Sequence, residues 1–138
     1  MSDKRLIHTA HIPVRWSDMD NYGHVNNTIY LEYVQEARVD WFAHVGIDID
    51  HTAQGPVVLQ TLHTYLKPVV HPATVVIELY AGAVGRSSLV VEHRLSTLED
   101  PHSCYGEGYC KLVWIDHASN QTVPVANDVR QAMGAPLV

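Results

Sequence analysis

One stretch of the sequence has the periodicity of a long amphipathic helix, and this helix constrains how the rest of the chain can fold. Its apolar residues recur at the 3.6-residue spacing of such a helix: Tyr30, Val34, Ala37, Trp41 and Val45. Residue types that cap helices precede the pattern at positions 26–28, and Gly46 follows it. The sequence therefore predicts one helix from about Asn27 to Val45. Its other side carries carboxylates at four-residue intervals, which we interpret as a solvent-exposed face: Glu32, Glu36 and Asp40.

The rest of the sequence has the patterns of β-strands. A loosely alternating stretch at residues 6–16 precedes the helix, and Pro13 indicates that this strand lies near a sheet edge. Four more strand patterns follow Gly55-Pro56, at residues 57–67, 74–84, 87–98 and 104–116, with a short piece at 121–125. A single helix has to bury its apolar side on one face of such a sheet. We therefore predict an α+β fold, a helix wrapped by a curved antiparallel sheet, as one domain over residues 1–138.

The charge of the chain limits its partners. Nine Lys and Arg against 15 Asp and Glu give a net charge of −6, which argues against binding to nucleic acid or to an anionic membrane. The N-terminus is polar and no apolar run reaches 18 residues, so we expect neither a signal peptide nor a membrane span. Charged residues make up 17% of the chain, below the roughly 25% of typical domains. We therefore expect an oligomer, in which a partner chain covers part of the surface.

Both cysteines lie on one predicted strand. Cys104 and Cys110 would be about 20 Å apart on the same face of an extended strand, whereas the Cα atoms of a disulfide lie within about 7 Å of each other. Free thiols of this kind predict a reducing, cytoplasmic setting.

A polar loop leads directly into the start of the predicted helix. It carries Asp18, Asp20 and His24, within one turn of the free N–H groups and the positive end of the helix dipole. A carboxylate beside donors for an oxyanion is half of a hydrolytic site. The alternative is structural, because the two aspartates can form Asx turns while Asn26 or Asn27 caps the helix.

This loop resembles the corresponding segment of hotdog-fold thioesterases, specifically the 4-hydroxybenzoyl-CoA thioesterase-like acyl-CoA thioesterases. The family pattern is an Asp at the end of the first strand, a Gly three residues later and an aromatic near the helix start, which Asp20, Gly23 and Tyr30 match. The variant at positions 24–27, His-Val-Asn-Asn, is similar to the branch with long-chain acyl-CoA and acyl-carrier-protein thioesterases. The resemblance implies a hotdog fold that hydrolyses acyl-CoA without a metal or cofactor, as a homodimer or a dimer of dimers with active sites at the dimer interface.

The resemblance also implies roles for individual residues. Asp20 is the expected catalytic carboxylate, as nucleophile or as general base for a water, and Asn27 supplies a backbone N–H to the thioester oxygen. Gly23 belongs to the substrate-binding loop. His24 either orients substrate and hydrogen-bonds to Asp20 or only completes the turn, and Asn26 either contacts substrate or caps the helix. Asp18, two residues earlier, is the poorer candidate for catalysis.

The coenzyme A phosphates need cations, of which the chain has few. Family members carry basic residues at the turn that corresponds to Arg86, Ser87 and Ser88, so we expect phosphate binding there. Lys67, at the end of a strand, is the next candidate, either within its own chain or from another subunit. The residues do not identify the acyl group or the carrier, although the negative charge favours coenzyme A over an acidic carrier protein.

Other interpretations of the sequence are weighed against this prediction. A hotdog hydratase or dehydratase needs an acid/base pair at a spacing that Asp20 and His24 do not have, and a non-catalytic acyl-CoA-binding domain would not need Asp20. His63, in a strand pattern, is interpreted as a half-buried histidine rather than an active-site residue. A metal held by the aspartates and the histidine of the loop is disfavoured, because no paired ligand spacing is present there.

Overall fold

The computed structural model describes residues 4–48 and 53–138 and has one long helix packed on an antiparallel sheet. The α+β expectation is thereby confirmed. In chain order the elements are β1 (Leu6–Pro13), α1 (Asn27–Val45), β2 (Gln54–Tyr65), β3 (Thr74–Val84), β4 (Ser88–Thr97), β5 (Gly106–Asp116), β6 (Gln121–Thr122) and α2 (Asn127–Met133). The strand order is β1-β3-β4-β5-β2, with β6 paired to β5. β1 is an edge strand, as Pro13 predicts, and β2 forms the other edge of this path.

The bounds of α1 agree with the prediction because local signals fix both ends. The Asn26 side chain accepts a hydrogen bond from the Thr28 backbone N–H at 3.0 Å, which caps the first turn. Gly46 ends the helix in a left-handed conformation at φ 94°, and its N–H donates to the last turn. The three carboxylates of the outer face are exposed, as expected.

The buried side of α1 faces the apolar side of the sheet. Trp41 is 1% exposed and packs into a continuous core with the central strands. Burying one such large apolar side chain contributes roughly 1.5–3 kcal/mol. The fully buried sheet residues that complete this core include Ile77, Leu79, Leu89, Val91 and Leu95.

Several strand bounds differ from the prediction. β1 stops at Pro13, and Trp16–Asp18 forms a short 3₁₀ turn instead of continuing the strand. β2 begins at Gln54, so Pro56 lies within a strand, which an edge position permits because proline has no N–H to donate. Neither α2 nor the pairing of β2 with β5 across the sheet was predicted from the sequence.

Asp18 holds the loop between β1 and α1 in place. Its carboxylate is 2% exposed and accepts hydrogen bonds from the Tyr33 hydroxyl at 2.7 Å and from the Arg15 backbone N–H at 3.0 Å. The Arg15 guanidinium adds two more, at 3.0 and 2.9 Å. Burial alone would raise the pKa of Asp18, but these donors outweigh it and lower the pKa. Asp18 is thus a structural, ionised carboxylate, in agreement with its lower rank as a catalytic candidate.

The two cysteines are free, as expected. Neither helix in the described part of the chain combines the length and the apolar character that a membrane span requires.

Candidate active site

A cavity of about 450 Å³ opens beside the N-terminus of α1. The loop that precedes the helix forms one wall, and the segment that follows β2 forms the other. The structure brings five of the predicted site residues to this cavity: Asp20, His24, Asn26, Asn27 and Lys67. Three tyrosines complete most of the lining: Tyr22, Tyr30 and Tyr65.

The loop makes a tight turn that aims Asp20 at the cavity. The Asp20 N–H donates to the His24 carbonyl at 3.1 Å, and the Gly23 N–H donates back to the Asp20 carbonyl at 3.0 Å. Gly23 has φ +82°, a left-handed conformation that strains any residue with a Cβ. The role of Gly23 that the structure shows is therefore to close this turn.

The Asp20 carboxylate is held by hydrogen bonds but can accept more of them. Its Oδ1 accepts from the Tyr22 backbone N–H at 2.9 Å, which is an Asx turn, and its Oδ2 accepts from Asn26 Nδ2 at 3.0 Å. Two single hydrogen bonds leave lone pairs on both oxygens. The structural and the catalytic interpretations of Asp20 are therefore compatible, because the turn orients a carboxylate that still faces the cavity.

Asn26 and Asn27 divide their roles at the helix start. The Asn26 side chain caps the helix and binds Asp20 at the same time, so both alternatives for this residue have a structural counterpart. Asn27 is the first residue of α1, and the backbone N–H groups of a first turn have no partner within the helix. The Tyr65 hydroxyl donates to the Asn27 carbonyl at 2.8 Å and ties the helix start to the end of β2.

His24 does not act on the Asp20 carboxylate in this structure. Its Nδ1 lies 3.3 Å from the Val25 carbonyl, to which it donates, and its ring stacks on Tyr22 with centroids 6.3 Å apart. Within the described part of the chain no hydrogen bond joins the His24 and Asp20 side chains. The arrangement favours the role in the turn, with the ring left as part of the cavity wall.

Lys67 places a cation at the mouth of the cavity. Its Nζ lies 2.9 Å from Asp100 Oδ2 and 4.9 Å from the centroid of the Tyr105 ring. The Tyr105 hydroxyl donates to the same carboxylate oxygen at 2.9 Å. The hydrogen bond with Asp100 raises the pKa of Lys67 and lowers that of Asp100. The Lys67 ammonium is therefore charged and positioned by Asp100. A phosphate that enters the cavity could bind to the same ammonium.

Arg86, Ser87 and Ser88 do not reach the cavity of their own chain. They form the turn between β3 and β4, whose backbone is held by the Arg130 guanidinium through the carbonyls of Gly85 and Arg86, at 2.6 Å each. The end of β3 near the loop between β1 and α1 is Thr74, and the 11 residues of the strand separate this loop from the turn, about 36 Å. Within one chain the length of the sheet therefore separates this turn from Asp20, and phosphate binding by Arg86, Ser87 and Ser88 stays a prediction.

Tyr30 and Tyr65 are cavity residues to which the sequence analysis gave no role in the site. Tyr30 accepts a hydrogen bond from the Val69 N–H at 2.9 Å, and its ring meets that of Tyr65 edge to face, with centroids 5.2 Å apart. Tyr30 fitted the apolar periodicity of α1, and Tyr65 fitted a strand pattern. Neither residue therefore needed a role in a site to account for its position in the sequence. The available signal for Tyr30 was its place in the family pattern, as the aromatic residue near the helix start.

A buried histidine pair lies behind these two tyrosines. His63 is half-buried, as expected, stacks on Tyr30 with centroids 5.8 Å apart, and has its Nδ1 2.8 Å from His93 Nε2. His93 is fully buried, and Arg38 is 7% exposed. Burial, followed by the influence of His63 and Arg38, lowers the pKa of His93 to about 3. Burial also lowers the pKa of His63, so both rings are neutral at pH 7 and one donates to the other.

The chain belongs to the thioesterase-like superfamily, whose family model matches residues 14–133. Its class is therefore thioester hydrolase, and the predicted hotdog fold and family are confirmed. The PA2801 protein of Pseudomonas aeruginosa is 68% identical, with 94% of this chain and 99% of that chain covered and a TM-score of 0.92. XC229 of Xanthomonas campestris, proposed to be an acyl-CoA thioesterase, is 37% identical over 88% of this chain and 100% of that one, with a TM-score of 0.78. A thioesterase of Thermus thermophilus, solved with coenzyme A and zinc, is 27% identical over 96% of this chain and 98% of that one, with a TM-score of 0.79.

The neutral histidine pair predicts an acid-sensitive fold. The folded pKa of His93, about 3, lies below the ordinary histidine value of 6.5, so between these pH values the unfolded chain binds a proton that the folded chain does not. The free energy of unfolding of the wild type should therefore fall as the pH decreases from 6.5 to 4. Its slope should be steeper than that of His93→Gln by up to about 1.4 kcal/mol per pH unit. Urea unfolding at a series of pH values measures both slopes.

The matched control for this pH series is His102→Gln, because His102 is exposed and its replacement should leave the wild-type slope unchanged. Equal slopes for wild type and His93→Gln would show that folding does not hold this pair neutral.

Proposed function

We propose that this thioester hydrolase acts on acyl-CoA, with Asp20 as the catalytic carboxylate and the start of α1 as the donor to the thioester oxygen. The observation that carries the proposal is the convergence of the Asp20 carboxylate and the first turn of α1 on one cavity. A thioester carbonyl placed between them would have the carboxylate at its carbon and a backbone N–H at its oxygen. The helix dipole adds positive potential at the same point.

Both chemical roles of Asp20 fit this placement. As a general base, Asp20 takes a proton from a water whose oxygen attacks the thioester carbon; the tetrahedral intermediate then collapses, the C–S bond breaks, and the coenzyme A thiolate takes up the proton. As a nucleophile, Asp20 forms a mixed anhydride with release of the thiolate, and water hydrolyses the anhydride. Either role uses an ionised carboxylate, and the hydrogen bond from Asn26 Nδ2 holds that carboxylate in position.

The carrier proposed is coenzyme A. The Thermus thioesterase that was solved with coenzyme A is a relative over nearly the whole length of both chains, and Lys67 supplies a cation at the mouth of the cavity. No acid/base histidine bonds to Asp20 among the described residues, so the hydratase alternative has no support in the geometry. A non-catalytic binder would show affinity for acyl-CoA without release of free coenzyme A.

We also propose that the active form is a homodimer, or a dimer of such dimers, assembled through β2. The outer edge of β2 is free within the described chain, and free backbone groups at a sheet edge are a template for pairing with another strand. The strand and the residue after it expose apolar side chains that water disfavours: Val57, Val58, Leu59, Leu62, Tyr65 and Leu66. We place the protein in the cytoplasm, because its two cysteines are free thiols.

Replacement of the catalytic carboxylate tests the central assignment. Asp20→Asn should lower kcat at least about a hundredfold with little change in affinity for coenzyme A, since the change removes the base or nucleophile and not a contact of the phosphates. The measurement is release of free coenzyme A from a panel of acyl-CoAs. Asp18→Asn is the control: it should lower stability, because it disturbs the bonds to Arg15 and Tyr33, yet retain most turnover per folded molecule. The reverse ranking of the two variants would reject Asp20.

The KM for acyl-CoA tests whether Lys67 and Arg86 bind the coenzyme A phosphates. Lys67→Ala should raise KM for acyl-CoA several-fold with kcat little changed, because phosphate binding is the same in ground and transition states. The effect should shrink at high salt. Arg86→Ala should raise KM only if the turn reaches the cavity of a second copy. Lys111→Ala, on an exposed β5 position, is the control, and an unchanged KM in Lys67→Ala at low ionic strength would remove Lys67 from the site.

Disruption of the β2 edge tests the assembly. Light scattering should give at least a dimer mass for the wild type and a smaller mass for Leu59→Asp, because a carboxylate would be buried at the pairing edge. Leu137→Asp is the control, since Leu137 is equally exposed, 61% against 60% for Leu59, and lies outside β2. A wild type that is monomeric and fully active at micromolar concentration would contradict the proposal.

A further inference from the structure

Three side chains with metal-binding groups meet between β1 and α1, away from the cavity. His8 projects from β1 and places its Nε2 2.7 Å from Asp40 Oδ2 on α1. His44 follows Asp40 by one helical turn, with its Nδ1 3.9 Å from Asp40 Oδ1. The rings of His8 and His44 have centroids 4.8 Å apart. Two imidazoles and one carboxylate therefore share one small volume.

The distances come close to those of a metal centre. One ligand atom from each residue lies within 4.8 Å of the others, whereas tetrahedral zinc, with bonds of about 2.0–2.1 Å, separates its ligand atoms by about 3.3 Å. The ligand atoms would have to move about 1.5 Å closer together, which is within the reach of a side-chain rotation. The Asp40 and His44 side chains, 52% and 66% exposed, have room for small rotations that keep the hydrogen bond of His44 Nδ1 to the backbone, while the His8 side chain is 11% exposed and held in place.

The tautomer of His44 also suits a metal. Its Nδ1 lies 2.9 Å from the backbone carbonyl of Asp40, which can only accept, so Nδ1 carries the proton and Nε2 has the free lone pair. A ligating histidine commonly donates its second ring nitrogen to a backbone carbonyl in this way. Imidazole nitrogens select zinc and similar divalent transition metals over calcium and magnesium, which take oxygen ligands.

We propose that His8, Asp40 and His44 form a binding site for one divalent transition-metal ion of the zinc class, with water in the fourth position. The site is distinct from the thioester cavity: Asp40 lies 13 residues along α1 from Asn27, about 20 Å at 1.5 Å per residue. Its role is structural. A bound ion links the edge strand β1 to the C-terminal half of α1 and stabilises the fold according to its concentration relative to its Kd. The linear sequence hides the site, because His8 and Asp40 are separated by 32 positions.

The test uses tag-free protein cleared of metal with a chelator. Calorimetric titration with Zn²⁺ should give one ion per chain, and Co²⁺ should give the visible absorption of a tetrahedral ion without a thiolate charge-transfer band, which excludes the cysteines. His44→Ala should weaken Zn²⁺ binding at least about tenfold and abolish the Zn²⁺-dependent rise in Tm. The His44→Ala variant should still fold, because the His44 side chain is exposed. Far-UV circular dichroism checks that it does. His8→Ala should weaken binding to a similar extent.

His11→Ala is the matched control, because His11 is an exposed histidine of the same strand that the site does not use. It should bind Zn²⁺ as the wild type does. The proposal is overturned if the wild type binds no ion, if it takes up several ions weakly, or if His44→Ala and His11→Ala bind alike. Release of coenzyme A from acyl-CoA should be unchanged in His44→Ala, so the outcome is independent of the proposed thioesterase mechanism.

Discussion

The Asn26 side chain joins the start of α1 to the carboxylate of Asp20, and the geometry of the cavity depends on this link. Its Oδ1 accepts from the Thr28 backbone N–H and its Nδ2 donates to Asp20 Oδ2, both at 3.0 Å. A helix that started one residue later would turn its free N–H groups away from the carboxylate. The residue that ends the loop and begins the helix therefore also sets the distance between the two halves of the proposed chemistry.

Two aspartates only two positions apart have opposite roles because their surroundings differ. Asp18 is buried, and both oxygens of its carboxylate accept hydrogen bonds from Tyr33 and Arg15. It therefore anchors the loop and has no oxygen that a substrate could reach. Asp20 is only partly buried, is held by one bond to each oxygen, and borders the cavity. The rigidity that Asp18 gives to the loop is what lets a short segment keep Asp20 at a fixed position relative to α1. Within three residues, one aspartate therefore stabilises the loop and the other is placed for the proposed chemistry.

Local signals predicted the helix and its bounds well, whereas long-range packing decided what was missed. The N-cap residues and Gly46 act within a few positions, so the bounds of α1 could be predicted. The pairing of β2 with β5, whose paired residues lie 41 to 62 positions apart in the chain, for example Tyr65 with Gly106 and Gln54 with Asp116, leaves no local pattern. For the same reason Tyr65 was not assigned to the site, and the distance between the Arg86 turn and Asp20 within one chain could not be predicted.

The two edges of the sheet differ, and the difference bears on how Arg86 could act. β1 contacts α1 through the hydrogen bond of His8 with Asp40, whereas β2 exposes apolar side chains along its length. Residue Ser88 of β4 is level with Val113 of β5, which pairs with Val57 near the start of β2, so the Arg86 turn lies at the opposite end of β2 from Tyr65 and the cavity. If two β2 strands pair antiparallel about a two-fold axis, the start of one strand meets the end of the other. That pairing carries the Arg86 turn of one copy to the end of the sheet where its partner has its cavity, so a residue remote from its own Asp20 becomes a neighbour of the other.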